Sequence, residues 1–147
     1  MNLLRASARR PLADTALVTY AIAVHAIVAV LLAALGLKRV TGALDRLSQA
    51  GATRGRVRGA CDRIDDRVVW AVRTATHLVP VGRTCLTEAL TARYLVRRHG
   101  GDATLRLGVA ADRMRPFTAH AWLEAADRII IGGETAADYE PFAIPRR

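Results

Sequence analysis

The chain has 147 residues, the size of one ordinary domain or of a small domain with a helical extension. It has two cysteines and neither a CxxC pair nor an HExxH motif, which argues against a metal site, and no cofactor is expected. The two cysteines lie in dissimilar contexts with no secretion signal of standard form, so we expect a reduced, cytoplasmic protein. Most of the net charge of +9 falls in residues 1–80, where twelve Lys and Arg accompany five Asp and Glu. No nucleic-acid motif accompanies this charge, so no nucleic-acid partner is expected.

The first predicted element is a stretch without charged residues over residues 15–37. It is long enough to span a bilayer as one helix, and basic residues flank it on both sides. His25 lies near its centre, and its many alanines are only weakly apolar. Two interpretations stay open. One is membrane association at the inner face of the membrane, and the other is a helix buried against the rest of the protein or a partner.

A glycine- and arginine-rich segment over residues 49–59 predicts a linker. It separates an N-terminal basic and apolar helical extension, residues 1–59, from a C-terminal domain, residues 60–147. Residues 60–78 then show apolar side chains at helical spacing, and Pro80 ends this predicted helix. The apolar positions are Ile64, Val68, Ala71, Val72 and Ala75.

A cysteine is predicted to begin the next helix. Residues 85–99 have helical apolar spacing, Thr84 is the expected N-cap, and Gly100 and Gly101 follow the last turn. The free N–H groups and the positive dipole end of a first turn favour thiolate over thiol. Cys85 is therefore a candidate nucleophile. Cys61 is expected to be a core residue of the preceding helix.

Alternating apolar residues after Gly101 predict strands over residues 103–109, 117–124 and 128–131. The short tail over residues 139–142 is expected to lie over the sheet. A helix followed by antiparallel strands is an α+β arrangement. His120 falls on the second strand, and Trp122 shares its face and is expected to shield it from water.

A thiol nucleophile needs a base, and the base needs a group that orients it. Cys85 and His120 are the candidate pair, and we expect them to meet where helix and sheet pack face to face. An isolated cysteine is more often a small buried hydrophobe. The position at a helix start, the histidine on a strand and the tryptophan two residues later favour catalysis instead.

Four motifs resemble the transglutaminase-like leader peptidases of lasso-peptide biosynthesis. They are C-L-x-x-A-L at residues 85–90, R-R-x-G at the helix end, L-R-L-G-V at residues 105–109 and A-H-A-W-L-E at residues 119–124. The resemblance covers residues 68–143 and implies a papain-like core with Cys85 as nucleophile and His120 as base. It also implies the reaction, removal of the leader peptide from a ribosomally made precursor by amide hydrolysis. The implied partners are a small, separate leader-recognition protein and a macrolactam-forming cyclase.

The third catalytic position departs from the family pattern, which has an aspartate on the strand after the histidine. If the turn pairs Glu124 with Ile129, Gly133 lies opposite His120, and a one-residue shift brings Glu134 there. Asp127 is too far along the strand for a direct hydrogen bond. Glu134 is therefore predicted as the orienting carboxylate, with a backbone carbonyl or another carboxylate as alternatives.

The sequence also predicts roles for the Glu124 side chain and for the main chain of Cys85. We expect Glu124 to contact solvent or a partner, and the backbone N–H of Cys85 to contribute to the oxyanion hole.

Two other functions remain open from the sequence. The same thioester intermediate can be captured by an amine, which makes acyl transfer an alternative to hydrolysis. In a different class, the protein is a non-catalytic membrane or partner adaptor whose long apolar helix is the functional element.

Overall fold

The computed structural model describes residues 12–50, 58–110, 118–125 and 128–142. These residues form four α-helices, four strands and a short 3-10 helix. The helices are α1 (Leu12–Leu35), α2 (Leu37–Ala50), α3 (Arg58–Leu78) and α4 (Cys85–Arg98). The strands are β1 (Thr104–Ala110), β2 (Ala119–Ala125), β3 (Arg128–Ile131) and β4 (Tyr139–Pro141), and the 3-10 helix is Ala136–Asp138. Helices followed by a small antiparallel sheet confirm the predicted α+β class.

Several sequence-based expectations lie outside the described residues. They concern most of the predicted linker, the side chain of Cys61 and the turn residue Asp127.

The sheet has the strand order β3-β2-β1-β4, and every neighbouring pair is antiparallel. In the register of β1 and β2, Gly108 lies opposite His120. The C-terminal segment was expected to lie over the sheet. It instead pairs with β1 as β4, with Tyr139 opposite Ala110, because β1 would otherwise present an unpaired edge.

Helix α4 begins where the sequence predicts and packs on one face of the sheet. The backbone N–H of Thr87 donates to Thr84 Oγ1 at 3.2 Å, which confirms Thr84 as the N-cap. Leu90 and Leu95 of α4 are fully buried in one core with Leu123 of β2. Burial of each such leucine contributes about 1.5–3 kcal/mol. This core fixes the helix that carries Cys85 against the strand that carries His120.

Helix α1 packs along α3 and α4, with Ala21, Val24 and Val28 buried. Its other face is open, and Ile27 and Val30 are 57% and 63% exposed. Length and composition alone would let α1 cross a membrane, although core helices and signal sequences meet the same criterion. In the structure α1 is a helix with one face packed against the fold and one free.

Helix α2 follows α1 almost without interruption. It runs for 14 residues, and a single residue, Gly36 with φ of 75°, separates it from α1. Val40, Leu44 and Ser48 are buried at four-residue intervals. That spacing places all three on one helical face, which packs against α1 and α4.

Candidate active site

Cys85 is the first residue of α4 and a half-buried free thiol. Thr84 before it has extended backbone angles, and its carbonyl accepts the first intrahelical bond, from Glu88 N at 3.1 Å. The N–H of Cys85 precedes that bond and has no intrahelical acceptor. The first turn therefore presents a thiol and an uncommitted donor side by side, as a nucleophile and an oxyanion hole require.

His120 lies near the start of β2, and its ring orientation is set by a main-chain group. Its Nε2 is 2.9 Å from the carbonyl oxygen of Gly132 and 3.4 Å from Thr135 Oγ1. Because a carbonyl only accepts, we assign the proton to Nε2, and Nδ1 of the neutral ring is then the basic nitrogen.

Gly132 approaches the imidazole too closely for any other residue. Its φ is 76°, and a Cβ there would lie 2.8 Å from the carbonyl oxygen of Ala121 and 3.2 Å from His120 Nε2. Only glycine combines that backbone angle with so close an approach. Gly132 was not among the predicted site residues. Its only sequence signal is the Gly-Gly pair that follows β3.

Two aromatic rings flank His120. The Trp122 ring is nearly parallel to the imidazole, with centroids 6.1 Å apart and an interplanar angle of 21°, and Tyr139 is tilted at 5.0 Å and 32°. Trp122 is only 4% exposed. The prediction that Trp122 shares a face with His120 is confirmed.

Glu124 was expected to contact solvent or a partner, and in the structure its carboxylate binds two side chains of its own sheet. It accepts from Trp122 Nε1 at 3.0 Å and from Arg106 Nε at 2.9 Å. Burial raises the pKa of Glu124, but the hydrogen bonds from Arg106 and Trp122 outweigh burial, so the net shift is downward.

Glu134, the predicted orienting carboxylate, is engaged elsewhere. Arg73 Nη2 of α3 donates to Glu134 Oε1 at 3.0 Å, and both side chains are largely exposed. The pairing of Glu124 with Ile129 matches the expectation, but the register shifts between Leu123 and Glu124, so Leu123 faces Ile131. Beyond the strand the Glu134 side chain turns towards α3.

Glu88 lies in the first turn of α4, and nearby charges affect its pKa. It lies one turn after Cys85, and burial raises its pKa. The positive charge of Arg73 opposes that shift, while the negative charge of Glu134 adds to it. The pKa of Glu88 is therefore affected by both charges of the exposed Arg73–Glu134 pair.

Cys85 and His120 do not meet as expected across the packed face of helix and sheet. The residues of β2 in the core with α4 are Ala121, Leu123 and Ala125. Side chains alternate along a strand, so His120 lies on the other face of β2. In the part of the chain that the structure describes, no hydrogen bond joins the thiol to the imidazole. On its own face of the sheet, His120 lies 3.4 Å from Thr135 Oγ1.

The family model of the transglutaminase-like superfamily matches residues 17–144. The chain belongs to the transglutaminase-like superfamily. The match includes α1 and α2 as well as the elements that carry Cys85 and His120, so it runs across the predicted boundary at residues 59 and 60, which stays a prediction. No curated protein and no solved structure gave a significant match.

Membership of the transglutaminase-like superfamily is consistent with cysteine-dependent acyl chemistry, because the superfamily commonly includes cysteine proteases and transglutaminases. Both activities pass through a thioester on the cysteine. The match does not specify a substrate. Among the described side chains, no group of three His, Cys, Asp or Glu residues is arranged to hold a metal ion.

Proposed function

We propose that this transglutaminase-like protein is a cysteine peptidase that removes the leader peptide from a lasso-peptide precursor. The observation that carries the proposal is the imidazole of His120, whose Nε2 is bound to the Gly132 carbonyl so that Nδ1 is the free base. The thiol at the start of α4 supports it, as do the spaced motifs that resemble leader peptidases.

In the proposed reaction the Cys85 sulfur attacks the carbonyl carbon of the scissile amide, and Nδ1 of His120 takes the thiol proton. The N–H of Cys85 donates to the oxyanion of the tetrahedral intermediate. The C–N bond then breaks, and the imidazolium returns its proton to the leaving amine. Water hydrolyses the thioester in a second round, with His120 as base, and releases the leader carboxylate and the free thiol.

We propose that the Gly132 carbonyl takes the orienting role in this chain in place of Glu134. A carbonyl oxygen accepts the hydrogen bond from Nε2–H, and the carbonyl dipole stabilises the imidazolium. This stabilisation is weaker than that from a negatively charged carboxylate. Hydrogen bonds at catalytic sites are often long in free enzymes and tighten only when substrate binds. The thiol and the imidazole are not hydrogen-bonded among the described residues, so the proposed mechanism requires that binding of substrate or partner brings them within reach of each other.

The proposed partners are the precursor leader, a small leader-recognition protein and a macrolactam-forming cyclase. The open face of α1 supports docking of the recognition protein. It has exposed Ile27 and Val30, and residues 15–37 carry no charge. Exposed apolar faces favour association with a partner. Co-sedimentation with anionic vesicles in the absence of partner proteins would instead favour membrane docking of this face.

The decisive experiment incubates the full chain with precursor and recognition protein and measures the products by mass. Cys85→Ala and His120→Ala are expected to abolish cleavage, and the matched cysteine control Cys61→Ala to retain it. Hydrolysis adds the mass of water across two peptides, whereas capture of the thioester by an amine gives a joined product. Full cleavage by either active-site variant would exclude the peptidase and leave the adaptor function.

A further inference from the structure

Glu124 has a role that the proposed mechanism does not assign. It lies on the same face of β2 as His120, and both of its carboxylate oxygens are occupied. Arg106 Nε donates to one oxygen, and Trp122 Nε1 donates to the other. The carboxylate therefore ties a side chain of β1 to the indole beside the proposed base.

The indole of Trp122 is held from three directions. Its N–H is bound by Glu124 at 3.0 Å, and one ring face meets the imidazole of His120. The far edge of the ring lies on Gly108, where a Cβ would come within 3.0 Å of ring atoms Cη2 and Cζ3. With the ring only 4% exposed, the indole has little freedom to move independently of its neighbours.

We propose that Glu124 is a positioning residue that fixes the Trp122 indole and, through it, the orientation of the His120 imidazole. Held in this way, Nε2 faces the Gly132 carbonyl and Nδ1 stays available as the base. The inference rests on the proposed function, because it gives Glu124 a part in the same reaction.

The bond to the indole N–H carries this role, and the ion pair with Arg106 assists it. The side chains of Arg106 and Glu124 are 43% and 33% exposed, so solvent weakens the attraction between their charges. The indole N–H belongs to a buried side chain and has an ionised acceptor, which makes its hydrogen bond the stronger of the two constraints. Arg106 also helps to keep Glu124 ionised, which agrees with its lowered pKa. An amide oxygen at position 124 would still accept from the indole.

The test compares five variants of the full chain with wild type in the precursor cleavage assay: four single variants and the double variant of Glu124→Ala with Trp122→Phe. Glu124→Ala and Trp122→Phe each remove the same hydrogen bond from opposite sides, and Glu124→Gln retains an acceptor. Asp66→Ala is the matched control, since it removes a similarly exposed ion pair with Arg128 away from the site.

We expect Glu124→Ala and Trp122→Phe each to lower kcat at least about tenfold with KM changed less than about twofold, because small misplacements of a base are costly. Glu124→Gln should stay within about threefold of wild type, and Asp66→Ala should be unchanged. The double variant should lose no more than either single variant. A wild-type kcat in Glu124→Ala, or a Glu124→Gln as impaired as Glu124→Ala, would overturn the proposal.

A readout independent of activity separates this inference from the proposed function. NMR signals of the Trp122 indole N–H and of the His120 ring should shift in Glu124→Ala and not in Asp66→Ala. If the wild type cleaves no precursor but these signals shift, the proposed function fails and the positioning stands. Unshifted His120 signals in a folded Glu124→Ala would overturn the positioning itself.

Discussion

The carbonyl oxygen of Gly132 accepts a hydrogen bond from His120 Nε2 at 2.9 Å, in the place where a carboxylate was predicted. The acceptor is reached because Gly132 adopts a φ of 76° next to the imidazole. The position of a main-chain carbonyl depends on backbone geometry and on no side chain of its own. The orienting role of the Gly132 carbonyl is therefore tested by a substitution that changes the backbone at this position.

Gly132→Ala is expected to abolish or strongly reduce cleavage. A Cβ at this site forces the chain away from Ala121 and His120, and the left-handed backbone adds about 1–2 kcal/mol of strain. Gly36→Ala is the matched control, because Gly36 has nearly the same φ and a Cβ there would meet no heavy atom of the described residues within 4 Å. Gly36→Ala should lose stability in thermal unfolding from the same backbone strain and keep its activity. Equal activity in the two variants would rule out the orienting role of the Gly132 carbonyl.

Glu134→Ala should keep cleavage within about threefold of wild type. Its carboxylate binds Arg73 in an exposed pair, and such pairs contribute about 0–1 kcal/mol. The measurement is kcat/KM with the same precursor. A loss as large as that of His120→Ala would show that Glu134 orients the base in the working complex, as the sequence had predicted.

Thr84→Ala should lower the stability of the protein by about 1 kcal/mol, since it removes the side-chain acceptor for the Thr87 N–H. For a chain of this size that loss corresponds to roughly 2–4 °C in Tm. Thr84→Ser should behave like wild type. Thr19→Ala is the control, because the Thr19 hydroxyl bonds within α1 to the Thr15 carbonyl and caps no helix end. Equal stability of Thr84→Ala and wild type would contradict the capping role.

His25→Leu is expected to make stability less sensitive to acid. His25 is fully buried, and neither ring nitrogen has a hydrogen-bond partner among the described residues. Burial lowers the pKa of His25, and the nearby Val81 backbone opposes this only in part. Below the ordinary histidine pKa of about 6.5 the unfolded chain therefore binds a proton that the folded chain does not, and stability is lost as pH falls.

The pH dependence is checked by measuring Tm between pH 7.5 and roughly pH 5.5, a window around the ordinary histidine pKa. Wild type should lose stability across this range, and His25→Leu should lose less and be at least as stable at the upper end, because a buried polar group without a partner costs about 1–3 kcal/mol. The exposed His77 offers a control in His77→Gln. An unchanged acid sensitivity in His25→Leu would refute the account.

Much of the fold around the site follows from the sequence. The helix at Cys85, its Thr84 cap and the strand Arg128–Ile131 were predictable, because the cap residue and the apolar spacing are local signals. Helix α2 was predicted only as part of the helical extension over residues 1–59, since Gly42 and a basic pair obscure an apolar spacing that packing against α1 and α4 makes clear.

The arrangement of the site was less accessible. The Gly132 carbonyl leaves no side-chain signature, and the register shift at Leu123 depends on the packed sheet. The face on which His120 lies could have been predicted, because side chains alternate between the two faces of a strand. Ala121 and Leu123 of β2 face the core, so His120 faces the other side. The prediction that His120 meets Cys85 where the helix packs on the sheet did not take this alternation into account.

A peptide carbonyl has no ionisation in the range where proteins remain folded. The orienting group of the proposed base therefore cannot be switched off by acid, whereas an aspartate or glutamate there would gain a proton and stop accepting. The acid limb of a rate profile for this protein should accordingly lack the extra steepness that a titrating third residue adds.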